Sequence, residues 1–404
     1  MAGPTLISFL GKSQLDSQHG YRPARYRFAD GSERETPYFG LALAEQLGSE
    51  RVVLLGTASS MWDLLVEGAV GDAVDEELRI ALMDAVRGAQ VGEALLGQMT
   101  PAMAQRIGRP VRALLIAMAS DFAAQQGVLE RLAEELQPGE TVVIDVTHGF
   151  RHLAMLALAA ARYLSHQRGI RLLGIYYGAL DMTQQGSTPV VELSGLAHLH
   201  EWAEAFAAYE AGGDYGRFAP LLERDGFDAP LARALERSAS LLALSNVPDA
   251  ARELQAPLKR LSAAPLAGAS EIFRARLVKA LRWAAAAPLS EQQRLLALQA
   301  LGRGDLLRAA VFGLESFLSR GVEAAGGNPL LHADKEAYDA QFKGELKQGQ
   351  HVDWRRNAYW LLKNVRNACA HATVATFGPH AALLRNPSRL RDELEKTLQR
   401  IEQT

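Results

Sequence analysis

Along the first half of the chain, short continuous apolar runs alternate with stretches of helical spacing. The runs are TLISFLG (5–11), RVVLLGT (51–57), VRALLIAMA (111–119), TVVIDVT (141–147), RLLGIYYGAL (171–180) and PVVELS (189–194). Continuous rather than alternating apolarity predicts strands buried on both faces of a sheet. Between the runs, helical spacing covers Tyr38–Leu47, Asp75–Val86, Phe122–Leu136 and His152–His166. Strand–helix alternation of this kind predicts a mostly parallel, doubly wound sheet, in which ligands bind at the carboxyl ends of the strands.

From about His198 the strand signal stops and Ala- and Leu-rich helical spacing takes over. It is punctuated by Gly212-Gly213, Pro220, Pro248, Pro265, Pro288 and Gly326-Gly327. Helices are expected over Glu201–Glu210, Pro230–Leu244, Ala250–Ser262, Ser270–Trp283, Ser290–Leu301, Asp305–Glu323, Arg355–Ala372 and Pro387–Gln403. The polar, Gly-containing stretch Gly326–Val352 reads as a mobile connection with room for one short helix. The expected division is an α/β domain over 1–197 and an all-α domain over 198–404.

Composition narrows the function classes. A chain of 404 residues, 48% apolar and 22% charged, has room for two or three packed domains and is too apolar to be disordered. A formal net charge of -3 argues against a protein held to nucleic acid by one broad basic surface. The single cysteine, Cys369, excludes an intramolecular disulfide and a cysteine-based zinc site within one chain, which points to the cytoplasm. No signal peptide is read in MAGPTLISFLGKSQ. The most apolar helical run, Leu153–Leu164, is too short to span a bilayer and contains Arg162, so no membrane partner is expected. His198 and His200 lack a third nearby ligand, and no metal site is expected.

Three strand ends carry small, hydroxylated or cationic residues: Gly11-Lys12-Ser13, the stretch from Gly56 through Thr57, Ser59 and Ser60 to Asp63, and Asp145-Val146-Thr147-His148-Gly149-Phe150-Arg151. Glycine lets a backbone approach a ligand, and a helix N-terminus favours anions. Thr147, His148 and Arg151 add donors for phosphate or base edges. Taken singly, each segment reads more readily as a satisfied turn or helix cap; taken together at one sheet edge, they read equally as a ligand pocket. None is a Walker A loop or a GxGxxG fingerprint, which argues against ordinary nucleotide hydrolysis and dinucleotide binding.

In the last helical region, WLLKNVRNACAHATVATFG contains Arg366, Asn367 and His371 in an R-x-x-x-x-H spacing. Five residues turn a helix through about 500°, leaving Arg366 and His371 about 140° apart. They would converge at the helix end near Gly378 or across a two-fold axis. A histidine titrating near neutrality exchanges protons with a ribose 2′-hydroxyl or a leaving 5′-oxygen, and a guanidinium stabilises phosphate charge. Glu315 upstream would orient Arg366 or another cation, or be a solvated carboxylate. The Arg355-Arg356 pair would guide RNA or solvate a helix start. Cys369, among small residues, reads as a buried small side chain.

The segments LISFLG, YRPARYRF (21–28), TPYFGLAL (36–43), GTASSMWD and especially DVTHGFR (145–151) resemble the sensor half of CARF–HEPN ribonucleases of type III CRISPR systems. R-N-x-x-x-H at Arg366–His371 resembles the HEPN ribonuclease motif. The first likeness covers roughly 5–195 and the second roughly 300–375, whereas 200–290 matches nothing assignable. The resemblance implies a Rossmann-like CARF domain followed by an all-α HEPN domain. It implies a homodimer, with higher assembly open, that binds cyclic oligoadenylate and then cuts single-stranded RNA without metal. Cyclic tetra-adenylate is the implied activator, with cyclic hexa-adenylate next.

Carried over, Arg366 and His371 fall on the catalytic positions and Asn367 beside them. Gly11, Lys12, Thr57, Ser59, Ser60, Thr147, His148, Gly149 and Arg151 are the candidate ligand contacts. Two other readings stay open: a non-catalytic cyclic-nucleotide-sensing regulator, and a sensor that also degrades its ligand.

Overall fold

The computed structural model describes residues 3–12, 21–67, 75–351, 353–371 and 380–402. The chain divides into two compact units, 1–197 and 198–404.

In the first unit the strands are β1 (Thr5–Leu10), β2 (Ala24–Arg27), β3 (Glu33–Thr36), β4 (Arg51–Gly56), β5 (Val111–Leu115), β6 (Thr141–Asp145), β7 (Arg171–Gly178) and β8 (Ser187–Glu192). They form one sheet in the order β3-β2-β8-β7-β6-β1-β4-β5. The five strands from β7 to β5 run parallel, with β8 antiparallel to β7 and β3 antiparallel to β2. This is the expected mostly parallel sheet with an added edge. The helices are α1 (Phe39–Gln46), α2 (Glu76–Arg87), α3 (Glu93–Ile107), α4 (Phe122–Glu135) and α5 (Arg151–Arg168).

Alternate residues of the central strands feed two cores. Leu6, Val52, Leu54 and Val143 pack with Phe39, Leu43, Leu96 and Met103 on one face. Ile7, Phe9, Val53, Leu55 and Ile144 pack with Val128, Leu132, Ala157 and Leu164 on the other. Burying each of these larger side chains contributes about 1.5–3 kcal/mol, which is why the strands read as unbroken apolar runs.

Strand β1 lies between β4 and β6. The chain moves outward to β5 on one side and returns to β6 on the other, placing the topological switch at β1. At the opposite, N-terminal ends of these strands, Arg51 ties Glu135 at 2.7 Å and Glu140 at 2.9 Å. That end is ionically stapled; the carboxyl end carries the small and hydroxylated residues.

The second unit begins within α6 (Ser194–Gly212) and continues through α7 (Ala219–Arg224), α8 (Ala229–Ala243), α9 (Val247–Ala263), α10 (Ser270–Leu281), α11 (Leu289–Gly302), α12 (Leu306–Ala324), α13 (His332–Lys347), α14 (Trp354–His371), α15 (Ala381–Leu384) and α16 (Pro387–Glu402). Its core includes Trp202, Phe206 and Phe218 early in the unit and Phe312, Tyr359, Leu362, Val365 and Leu394 later. Asp305 caps α12 by accepting from the Arg308 N–H at 2.9 Å.

The structure corrects the reading of Gly326–Val352 as a mobile connection, because α13 occupies sixteen of its residues. Phe342 is its buried anchor, and Lys335 pairs with Glu315 of α12 at 2.8 Å. Tyr338 lies against α12 at Gly321, where a Cβ would come within 1.9 Å of the tyrosine ring.

Candidate functional site

The three strand ends singled out in the sequence meet at the switch point of the sheet. Gly11 follows β1 and touches the loop after β6 so closely that a Cβ there would lie 1.4 Å from the His148 carbonyl oxygen. The Gly11 carbonyl accepts from the Met61 N–H at 2.9 Å, and the Ser60 hydroxyl donates to the Leu10 carbonyl at 2.6 Å. The Thr57 N–H donates to Ser60 Oγ at 2.9 Å, and the Trp62 indole donates to the Thr57 carbonyl at 2.9 Å. The ends of β1 and β4 are thereby hydrogen-bonded into one edge, with the loop after β6 packed against Gly11.

Beneath that edge runs a buried polar chain. Ser8 donates its one hydroxyl proton to Asp145 Oδ2 at 2.6 Å, so the Tyr38 hydroxyl, 2.5 Å from Ser8 Oγ, must be the donor to Ser8. Asp145 Oδ1 accepts from the Thr147 N–H at 2.8 Å, and Thr147 Oγ1 accepts from the Gly178 N–H at 2.8 Å. Burial pushes the Asp145 carboxyl up to about 6 despite the hydrogen bonds from Ser8 and Thr147, which pull the other way. His148 Nε2 accepts from the Phe39 N–H at the start of α1, at 3.0 Å. Burial lowers this imidazole to about 4, so it is neutral at physiological pH, with its proton assigned to Nδ1 by the Nε2 bond.

The candidate contacts therefore separate by position. Gly11, Thr57 and Ser60 are buried, and the two hydroxylated residues tie the edge together from within. Ser59, Thr147, His148 and Gly149 are part-buried, while Lys12 and Arg151 are exposed. Arg151 opens α5, whose N-cap, Phe150, supplies no side-chain cap, so the N-terminal end of an 18-residue helix dipole lies directly after this edge, with the Leu153 N–H donating to the Phe150 carbonyl at 2.8 Å. Ser13 lies outside the described residues. Sequence reasoning missed Ser8, Tyr38 and the Phe39 amide, whose roles depend on which strands adjoin.

In the second unit, Arg366, Asn367 and His371 all lie on α14. Tyr359, Leu361, Leu362 and Val365 are its buried face, whereas Trp360 is 38% exposed. Arg366 and Asn367 are part-buried, and His371 is exposed at the last residue of the helix. Neither Arg366 nor His371 makes a hydrogen bond or ion pair with a described residue. Five residues along one helix, they are separated by a rise of about 7.5 Å as well as by rotation. The stretch towards Gly378 lies outside the described residues. Glu315 orients Lys335 rather than Arg366. Cys369 is exposed, a correction to its reading as buried: it falls on the open side of the last turn of α14.

One group the sequence reading passed over sits a turn before Arg366. Lys363 donates to the Tyr359 hydroxyl at 2.7 Å, and that hydroxyl donates to Asp339 Oδ1 of α13 at 2.6 Å. Lys343 pairs with the same carboxylate.

Comparisons with known proteins bear first on the α/β unit. Residues 5–180 match the family described as the CARF domain of CRISPR system endoribonuclease Csx1. Over 255 residues, 57% of this chain, the sequence is 26% identical to CRISPR-associated protein MJ1674 of Methanocaldococcus jannaschii. The chain spans 40% of that relative's length. Both likenesses are to CRISPR-associated proteins, and the family match falls on the α/β unit as a CARF domain. Among the described residues, no helix is long and apolar enough to cross a membrane.

Proposed function

We propose that this chain is a cyclic-oligoadenylate-activated, metal-independent endoribonuclease that cuts single-stranded RNA in type III CRISPR defence. The observation that carries the reading is α14: it presents Arg366, Asn367 and His371 outside the core, with Arg366 and His371 in no hydrogen bond or ion pair with a described residue, in a chain whose first unit matches a CARF family. On this reading the helical unit is a HEPN domain and the working form is a homodimer. A cyclic ligand with rotational symmetry suits a two-fold pocket built from two copies of the strand-end loops. Exposed Lys12 and Arg151, part-buried Ser59, Thr147 and Gly149, and the open N-terminus of α5 would contact it, and cyclic tetra-adenylate is the proposed activator. Ligand that binds one arrangement of the sensor better than another shifts the population of the coupled helical unit.

Cleavage proceeds by attack of the ribose 2′-oxygen on phosphorus as the P–O5′ bond breaks. The 2′-hydroxyl gives up its proton, the 5′-oxygen takes one, and the products are a 2′,3′-cyclic phosphate and a 5′-hydroxyl. An imidazole at His371 suits the proton exchange, and the Arg366 guanidinium suits the charge that develops on phosphate. The ligand-degrading alternative has less support, because His148 Nε2 is committed to the Phe39 amide.

The test is cleavage of a fluorescent single-stranded RNA in EDTA with cyclic tri-, tetra- and hexa-adenylate supplied separately. Acceleration by one ring size supports both halves of the reading. His371→Ala is expected to lower the rate by about 10²–10⁴-fold while leaving ligand binding intact. Ligand binding without cleavage would replace the enzyme with the regulator.

A further inference from the structure

We propose that Lys363 and Arg366 form a two-cation grip on the phosphodiester backbone of single-stranded RNA, Lys363 holding a phosphate next to the one under Arg366. The identity of the anion as RNA rests on the ribonuclease reading; the grip itself rests on the placement of charge. On α14, positions three apart lie about 5–6 Å from one another at Cβ, so both cations serve one face. Lys363 Nζ stands over the rings of Tyr359 at 5.0 Å and Trp360 at 6.0 Å. It is 20% exposed, 2.7 Å from the Tyr359 hydroxyl and 4.0 Å from Asp339 Oδ2.

Asp339 is already engaged by Lys343 and by the Tyr359 hydroxyl. One carboxylate therefore faces both Lys343 and Lys363, Arg366 adds its charge next to Lys363, and the excess positive charge at Lys363 is held in place by aromatic rings and a hydrogen bond. An ammonium fixed in this way loses little freedom on meeting an anion. Partial burial, Lys343 and Arg366 press the Lys363 ammonium down to about 8, with Asp339 opposing them. A bound phosphate relieves that strain of like charge.

The experiment is fluorescence anisotropy of a 2′-O-methyl single-stranded oligonucleotide, which cannot be cut, titrated with the full chain at several salt concentrations. Lys363→Met is expected to weaken binding roughly ten-fold and to reduce the slope of log affinity against log salt by about 0.7, the loss of one phosphate contact on a single strand. Lys363→Arg should recover affinity to within a few-fold. Lys279→Met, which removes an exposed charge on α10, should leave both readouts unchanged. Equal affinity and slope in Lys363→Met, an equal loss in Lys279→Met, or no RNA binding by the wild-type chain would each overturn the grip. Should Lys363→Met prove misfolded by circular dichroism, Lys363→Gln in the same titration decides. Cleavage by the wild type is followed in parallel: its absence removes the ribonuclease reading without touching the binding result.

Discussion

The imidazole Nε2 of His148 accepts a hydrogen bond from the backbone N–H of Phe39, 3.0 Å away and more than a hundred residues earlier. This bond fixes the entry of α1 against the loop after β6. Replacing His148 by Ala would leave a part-buried amide without a partner, at a cost of about 1–3 kcal/mol. Hydrogen exchange of the β1 and β6 amides in the full chain reads that loss directly. Protection unchanged in the Ala variant would show that water takes over the role of the ring.

Asp145 and His148 carry opposite pH dependences. The Asp145 carboxyl is raised from 3.8 to about 6 in the fold, so its protonated form is favoured. Its contribution is full below pH 3.8 and is lost as pH rises through 6. His148 is lowered from 6.5 to about 4, so its contribution is full above pH 6.5 and is lost as pH falls through 4. Each window is worth about 3 kcal/mol, and the two nearly cancel between pH 4 and 6. Asp145→Asn should therefore turn a flat profile into one in which the first unit gains stability as pH rises from 4 to 6.5. His148→Gln should produce the reverse. Urea unfolding at stepped pH measures both, and parallel profiles in all three proteins would refute the opposition.

Gly11 and Gly127 should respond to alanine in opposite directions. A Cβ at Gly11 meets backbone at 1.4 Å, whereas one at Gly127, within α4, meets nothing within 4 Å. Gly11→Ala should destabilise by about 1–3 kcal/mol and open the strand-end edge. Gly127→Ala should stabilise by about 0.5–1 kcal/mol. Melting temperatures of the two variants check the pair, and a stable Gly11→Ala would mean that the loop after β6 yields readily.

Rotation of about 140° between Arg366 and His371 leads to a complementation test. If Arg366 of one copy works with His371 of another, co-expressed Arg366→Ala and His371→Ala chains regain activity that neither has alone. With random pairing, half the dimers are mixed and each carries one intact site, giving roughly a quarter of wild-type activity. No recovery would place both groups of a working site on one helix.

The central sheet was legible because its strands are buried on both faces and write themselves as unbroken apolar runs. The pair β2 and β3 was not, since only Tyr26 and Thr36 are buried among Arg25, Arg27, Glu33 and Glu35. Helix α3 contains Pro101, which hides its spacing, and α13 buries only Phe342. At the candidate sites, residues that follow strands stood out by type, and Arg366, Asn367 and His371 by spacing. Ser8 with Tyr38, His148 with Phe39 and Lys363 with Asp339 could not be read locally, because each partner arrives from another element.

The contact between Tyr338 and Gly321 acts as a locating pin for all of this charge. Asp339 follows Tyr338 directly, so the depth to which the tyrosine ring seats on α12 sets where the carboxylate stands relative to Tyr359 and Lys363. A position that contributes no side chain thus governs the electrical bias of the α14 face that carries Lys363.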